Sequence, residues 1–128
     1  MKDRFHYIID QFEKPIKRYC LALDLIEDEG LIKQYRQLHS SDSHWKEIRN
    51  GIREVGILKM DIYLYGNHLF MLVDVDIDFN WEESFARLAT LPRQEEWEKL
   101  MSRFQKCDPD ASSAEKWTPI ERIFTLYD

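Results

Sequence analysis

Hydrophobic and polar residues alternate along four stretches of this chain, and period-two alternation is typical of half-buried β-strands. In the first stretch, Leu21, Leu23 and Leu25 are separated by Ala22 and Asp24. The predicted strands cover residues 17–26, 57–65, 68–76 and 120–127. The dipeptide Gly66-Asn67 between the second and third strands is suited to a two-residue hairpin turn.

Other stretches place hydrophobic residues three and four positions apart, which predicts amphipathic helices. Asp28 and Ser43 can cap the first two of these helices. The segment FHYIIDQF also has helical spacing and ends at Pro15. We interpret residues 1–16 as an N-terminal extension and residues 17–128 as one domain. The predicted helices cover 29–39, 44–55, 81–89 and a segment beginning at Pro92, and a polar loop covers 107–119.

The order of elements is strand, helices, two strands, helices, strand, and this β-α-β-β-α-β order is typical of ferredoxin-like α+β folds. We therefore expect an antiparallel sheet with its helices on one face. The other face of the sheet carries hydrophobic and aromatic side chains that need a cover. A second copy of the chain would cover it, so the sequence predicts a homodimer, a dimeric α/β barrel.

Composition excludes several classes of protein. With 24 acidic and 18 basic residues the formal net charge is −6, which disfavours binding to a nucleic-acid backbone. The first residues lack the continuous apolar region of a signal peptide, and no apolar run is long enough for a membrane span. The motifs of phosphate-binding loops, GxSxG hydrolases and paired CxxC zinc sites are absent. We expect a cytoplasmic protein that does not act on membranes.

The candidates for acid–base chemistry are the histidines. His39 and His44 flank the sequence SSDS, which interrupts two predicted helices. Loops of this kind often carry function, and histidine changes its charge nearest to neutral pH. The alternative is that both are solvated loop residues. A metal site is disfavoured, because the spacing of His39, Asp42 and His44 matches no familiar ligand set.

Aromatic residues make up 13% of the chain and include four tryptophans. Aromatic side chains can contact the apolar C–H face of a sugar ring, but tryptophans at helical spacing also occur in protein cores. Trp45 and Trp97 fit either interpretation. A sugar-binding pocket is therefore one hypothesis among others at this point.

The central block, YRQLHSSDSHWKEIRNGIREVGILKMDIYLYGNHLFMLVDVD, resembles the L-rhamnose mutarotase family. In that family a Tyr and a His lie four apart, followed by a Trp, a helix ending in Gly, and a hairpin. The segments LATLPRQEEWEKLM and WTPIERIFTL resemble the family's last helix and last strand. The similarity extends over residues 17–127.

The resemblance implies a dimeric ferredoxin-like enzyme that interconverts the α and β anomers of L-rhamnose without a metal or an organic cofactor. It implies that His39 transfers the proton. Opening the sugar ring needs a proton on the ring oxygen and loss of the anomeric hydroxyl proton, and one imidazole can serve both steps. The residues that the resemblance places around the substrate are Tyr35, Trp45, Met60, Tyr63, Glu96 and Trp97.

Two of these positions depart from the family, because Met60 replaces a pocket Tyr and Glu96 replaces one member of a Trp pair. The departures leave the sugar open between L-rhamnose and another 6-deoxy hexose such as L-fucose. Two alternatives use the same scaffold: another small-molecule enzyme, for example a monooxygenase, and a non-catalytic sugar-binding module.

Overall fold

A computed structural model describes residues 5–127 of the chain. The elements in chain order are β1 Ile16–Asp24, α1 Glu29–Leu38, α2 Lys46–Glu54, β2 Ile57–Tyr65, β3 His68–Asp76, α3 Trp81–Leu88, α4 Gln94–Met101, α5 Ser113–Lys116 and β4 Thr118–Pro119. The strands form one antiparallel sheet in the order β2-β3-β1-β4. This is the predicted α+β, ferredoxin-like arrangement, and the hairpin between β2 and β3 has the predicted bounds.

The core lies between the sheet and the helices. On β1 the predicted alternation is confirmed, because Leu21 and Leu23 are buried, as is Leu25 directly after the strand. On β3 the buried residues are Leu69, Met71, Val73 and Val75. Helices α2, α3 and α4 close this face with Ile48, Phe85, Leu88, Trp97 and Met101.

The opposite face of the sheet has no helix packed against it in the described chain. Tyr63 and Phe70 are paired across β2 and β3, and 37% of each side chain is exposed. Arg18 and Asp74 form a two-point ion pair at one end of this face, with N–O distances of 2.6 and 2.9 Å. We call this surface, with Cys20, Ala22, Tyr63, Phe70 and Leu72 at its centre, the open face.

Both ends of the domain differ from the prediction. Residues 5–15 form no helix, and their side chains are exposed. An isolated amphipathic helix of this length is marginal in water unless its apolar side is well covered by other residues. Instead Tyr7 contacts Tyr63 edge-on at a ring distance of 5.9 Å. Residues 1–4, the rest of the predicted extension, lie outside the described part.

The predicted last strand over 120–127 is wrong. Only Thr118–Pro119 pair with β1, and the amide of Ile120 donates to the carbonyl of Cys20 at 2.8 Å. Beyond that point the chain leaves the sheet, and Ile123 and Phe124 are 90% and 75% exposed. Their alternating pattern has no apolar surface of the same chain to face.

Smaller corrections concern helix ends. Trp45, not Ser43, is the N-cap of α2, and it makes no side-chain capping bond. Helix α4 begins at Gln94, after a left-handed Arg93 with φ 64°, and not at Pro92. The predicted polar loop contains the short helix α5, which begins with a capping box between Ser112 and Glu115. Asp28 caps α1 as predicted, accepting from the amide of Leu31 at 2.9 Å.

Candidate active site

His39 lies where α1 ends and the SSDS loop begins. It is the C-cap residue of α1, and its Nδ1 lies 2.7 Å from the carbonyl oxygen of Tyr35. A carbonyl oxygen only accepts, so Nδ1 carries a proton and donates it in this bond. The neutral ring is therefore protonated on Nδ1, and Nε2 is left as a lone-pair base. Burial lowers the pKa of His39, and the bond to the carbonyl opposes this only in part.

Tyr35 is one turn before His39 on the same face of α1, and the two rings are 4.2 Å apart. Only 4% of Tyr35 is exposed. Burial raises its pKa to about 12, a bond from Gln105 opposes the shift, and the charge of Glu98 adds to it. The hydroxyl group of Tyr35 is therefore protonated at neutral pH and can donate a hydrogen bond.

Trp97 of α4 is the centre of an aromatic cluster beside His39. Its ring lies 5.3 Å from His39, 4.8 Å from His44 and 5.2 Å from Trp45, each contact edge-on. Arg93 covers Trp45, with its guanidinium carbon 3.8 Å from the ring centre. The cluster packs the loop that carries His39 against α4.

His44 belongs to the same cluster, so it is not a freely solvated loop residue. Its ring is 5.8 Å from that of His39, and its Nδ1 is buried without a hydrogen-bond partner among the described residues. Burial lowers the pKa of His44, and the charges of His39 and Arg49 lower it further. Both imidazoles are therefore biased toward the neutral form.

A small cavity of about 60 Å³ lies between α1, α4 and the inner face of the sheet. Four of the predicted site residues line it: Tyr35, His39, Met60 and Trp97. Its wall toward the sheet and α2 is apolar, and the side chains there include Ile48, Ile52, Met60, Ile62 and Met71.

Four polar residues of the cavity were not predicted: Gln94, Glu98, Gln105 and Ser113. A sequence signal for two of them existed. Gln94 and Glu98 are four apart and share the stripe of α4 that also carries Trp97 and Met101, so they had to face inward with them. Gln105 lies after the end of α4, so no helical spacing predicted that it faces the cavity.

Three predicted site residues do not line the cavity: Trp45, which packs on Trp97, and Tyr63 and Glu96. Side chains alternate along a strand, and Met60 and Tyr63 are three apart, so they face opposite sides of the sheet. Met60 lines the cavity, and Tyr63 is on the open face. Glu96 points outward, with 63% of its side chain exposed and an ion pair to Arg93 at 3.3 Å.

Within residues 5–127, no three His, Cys, Asp or Glu side chains are grouped closely enough to hold a metal ion. In the same range, the helices are too short or too polar to cross a membrane.

Comparisons with known proteins identify the family of this chain. The family described as L-rhamnose mutarotase matches residues 18–126. A relative from Xanthomonas campestris pv. campestris, named L-fucose mutarotase, is 39% identical over 111 residues, which are 87% of this chain and 89% of the relative. A UPF0734 protein from Dictyostelium discoideum is 37% identical over 114 residues, which are 86% of this chain and 90% of that protein.

A solved structure has the same fold. The crystal structure of an L-rhamnose mutarotase from Formosa agariphila matches with a TM-score of 0.64 and 21% identity. The match covers 87% of this chain and 99% of that one.

Proposed function

Since this chain belongs to the L-rhamnose mutarotase family, we propose that it interconverts the α and β anomers of a 6-deoxy hexose, L-fucose or L-rhamnose. The observation that carries this proposal is the state of His39. Its Nδ1 donates to the carbonyl of Tyr35, its Nε2 has no hydrogen-bond partner within residues 5–127, and the ring lies at a cavity beside Trp97. The name of the Xanthomonas relative supports L-fucose as the first sugar to test.

The reaction needs one proton to move between two oxygens on the same carbon. Nε2 of His39 takes the proton of the anomeric hydroxyl, the C1–O1 bond becomes a carbonyl, and the bond between C1 and the ring oxygen breaks. The imidazolium returns the proton to the former ring oxygen. The aldehyde group rotates about the C1–C2 bond. The reverse steps then close the ring, with the ring oxygen bonding to the opposite face of C1. Protons and electrons balance without any further reactant.

Burial suits His39 to both half-steps. Because its pKa is lowered, the resting imidazole is neutral and ready to accept. Its conjugate acid is then a stronger acid than ordinary imidazolium and gives the proton back readily. The protonated hydroxyl of Tyr35 lines the same cavity and can donate a hydrogen bond to the sugar.

The cavity of about 60 Å³ is far below the roughly 300 Å³ of typical ligand pockets. Substrate binding therefore requires the walls to move apart.

We propose further that the protein is a homodimer joined through the open face. Tyr63 and Phe70 stay partly exposed there, and the apolar residues Ile123, Phe124 and Leu126 lie uncovered after β4, at the other edge of the sheet. A second copy would bury both surfaces. In this arrangement Tyr63 is an interface residue and not a pocket residue.

Magnetisation-exchange NMR on L-fucose and L-rhamnose tests the activity directly. The protein should increase the exchange rate between the two anomer signals in proportion to its concentration. Shifts of sugar signals without faster exchange would indicate a non-catalytic sugar-binding module. Absence of acceleration with every 6-deoxy sugar would contradict the mutarotase proposal and leave another small-molecule activity on this scaffold. A cytoplasmic location stays a prediction from the sequence.

A further inference from the structure

Helix α4 presents an amide and a carboxylate to the cavity, one turn apart. Gln94 Nε2 donates to Glu98 Oε1 at 2.8 Å. A carboxylate only accepts, so the atom of Gln94 that faces it is the NH₂ group. The amide oxygen of Gln94 therefore points elsewhere, although only 4% of the residue is exposed.

The carboxylate of Glu98 forms a buried ion pair with Lys116. The side chain of Lys116 is 1% exposed. Its ammonium donates to Glu98 Oε2 at 3.2 Å, to the carbonyl of Glu98 at 3.1 Å and to Ser102 Oγ at 2.8 Å. All three N–H groups are used, so the buried ammonium holds the side chain of Glu98 in one position.

Gln105 supplies a second amide to the same cavity. Its Nε2 lies 3.5 Å from the hydroxyl of Tyr35, and 5% of the residue is exposed. The amide oxygens of Gln94 and Gln105 both lack a hydrogen-bond partner within the described chain. Buried amide oxygens are nearly always paired, so two unpaired ones in one cavity point to a ligand that donates.

We propose that Gln94, Glu98 and Gln105 form a hydroxyl-binding wall, held by Lys116, that accepts hydrogen bonds from the non-anomeric hydroxyl groups of the sugar. This inference rests on the proposed function and adds the residues that determine which sugars are accepted. A sugar lying on the apolar wall at Met60 would turn its hydroxyls toward these oxygens. The wall faces groups that do not react, so it selects substrate and His39 transfers the proton.

The test uses L-fucose and its 2-deoxy, 3-deoxy and 4-deoxy analogues in the NMR exchange assay. The wild-type protein should prefer L-fucose to at least one analogue by about tenfold or more in kcat/KM, as one well-placed hydrogen bond allows. Gln105→Met and Gln94→Met keep the side-chain length and remove the amide. Each should lower kcat/KM for L-fucose by about tenfold, chiefly through KM, and leave the rate for one deoxy analogue unchanged.

Gln34→Met on the exposed side of α1 is the matched control and should retain the wild-type preference. A purely structural role for the two amides would lower the rates for L-fucose and all analogues alike. If the wild type accelerates exchange but both variants keep its full preference, the hydroxyl-binding wall is refuted and the mutarotase activity stands. If the wild type accelerates no sugar, the proposed function fails and this inference fails with it.

Gln94→Met removes a bond to Glu98, so its folding is checked by thermal unfolding. Gln105→Met removes only a long contact and an unpaired oxygen, and its unfolding temperature should not fall. Gln105→Met is therefore the more decisive variant. If it folds and keeps the wild-type preference for L-fucose over the deoxy analogues, Gln105 is not part of the hydroxyl-binding wall.

Discussion

The Nδ1 atom of His39 donates a hydrogen bond of 2.7 Å to the backbone carbonyl of Tyr35. The partner is four residues earlier on α1, so the helix end itself determines the tautomer of the ring. The rings of Tyr35 and Trp97 also contact the imidazole. This arrangement leaves Nε2 as the proton-transfer atom. A side chain without a second ring nitrogen could not donate to the carbonyl and accept the substrate proton at the same time.

His39→Ala should lower the rate of anomer exchange by about 10²–10⁴-fold, the usual contribution of a general acid–base group. The fold should persist, because His39 is only partly buried and lies at a helix end. Magnetisation-exchange NMR at saturating sugar measures the loss. His68→Gln is the matched control, since His68 is half exposed and pairs with Asp24 away from the cavity. A fully active His39→Ala protein would remove His39 from its role.

The pH profile should report the neutral form of His39. Burial lowers its folded pKa, so the neutral base persists below the ordinary value of 6.5. As pH falls through the lowered pKa, kcat/KM should fall, and the midpoint should lie below pH 6.5. Tyr35, with a pKa of about 12, should add no alkaline midpoint near pH 10. An acid midpoint above 6.5 would contradict a buried neutral base.

The same shift predicts how stability depends on pH. The unfolded chain binds a proton on His39 near pH 6.5, and the folded chain binds it only at lower pH. Between these two values the unfolded state holds more protons, so the free energy of unfolding should decrease as pH falls below 6.5. Urea unfolding between pH 7 and pH 5 measures it. His39→Gln should reduce the slope, although His44 contributes a slope of the same sign.

Much of the fold could be predicted because period-two and helical patterns were strong where the core is built. Leu21, Leu23 and Leu25 alternate and are buried, and the hairpin turn follows from Gly66-Asn67. The segment 120–127 shows the limit of such patterns. An alternating pattern predicts that one face of a strand is buried, but it does not show whether the same chain or another molecule buries that face.

The site was predicted in part for a similar reason. Tyr35 and His39 share a helix face by spacing alone, and the structure places their rings in contact. Met60 and Tyr63 were both predicted to contact the substrate. Side chains alternate along a strand, so two residues three apart face opposite sides of the sheet. Gln105 could not be predicted, because the loop that carries it has no regular period.

The open face predicts a defined oligomer. Phe70→Lys places a charge at its centre, opposite Tyr63 and Ala22, and should convert a dimer into a monomer. Light scattering after size-exclusion chromatography should give twice the 15.5 kDa chain mass for the wild type. Ile77→Lys is the control, since Ile77 is 61% exposed in the turn after β3, and it should stay dimeric. A monomeric wild type at high concentration would refute the dimer.

Lys116 and Glu98 should be far more important for stability than a surface ion pair of similar length. Lys116→Met leaves Glu98, 22% exposed, without its cation, and breaking a buried pair from one side should lower the free energy of unfolding by about 3 kcal/mol. Lys106→Met is the control. Its pair with Glu27 is also 3.2 Å long but 49% and 72% exposed, so the loss should stay below about 1 kcal/mol.

Adding Glu98→Gln to Lys116→Met removes the unpaired charge and should restore much of the lost stability. Urea unfolding gives all three values. The double variant should still be impaired in anomer exchange, because the carboxylate is absent from the cavity wall. Equal, small losses for Lys116→Met and Lys106→Met would show that the buried ammonium does not hold Glu98 in place.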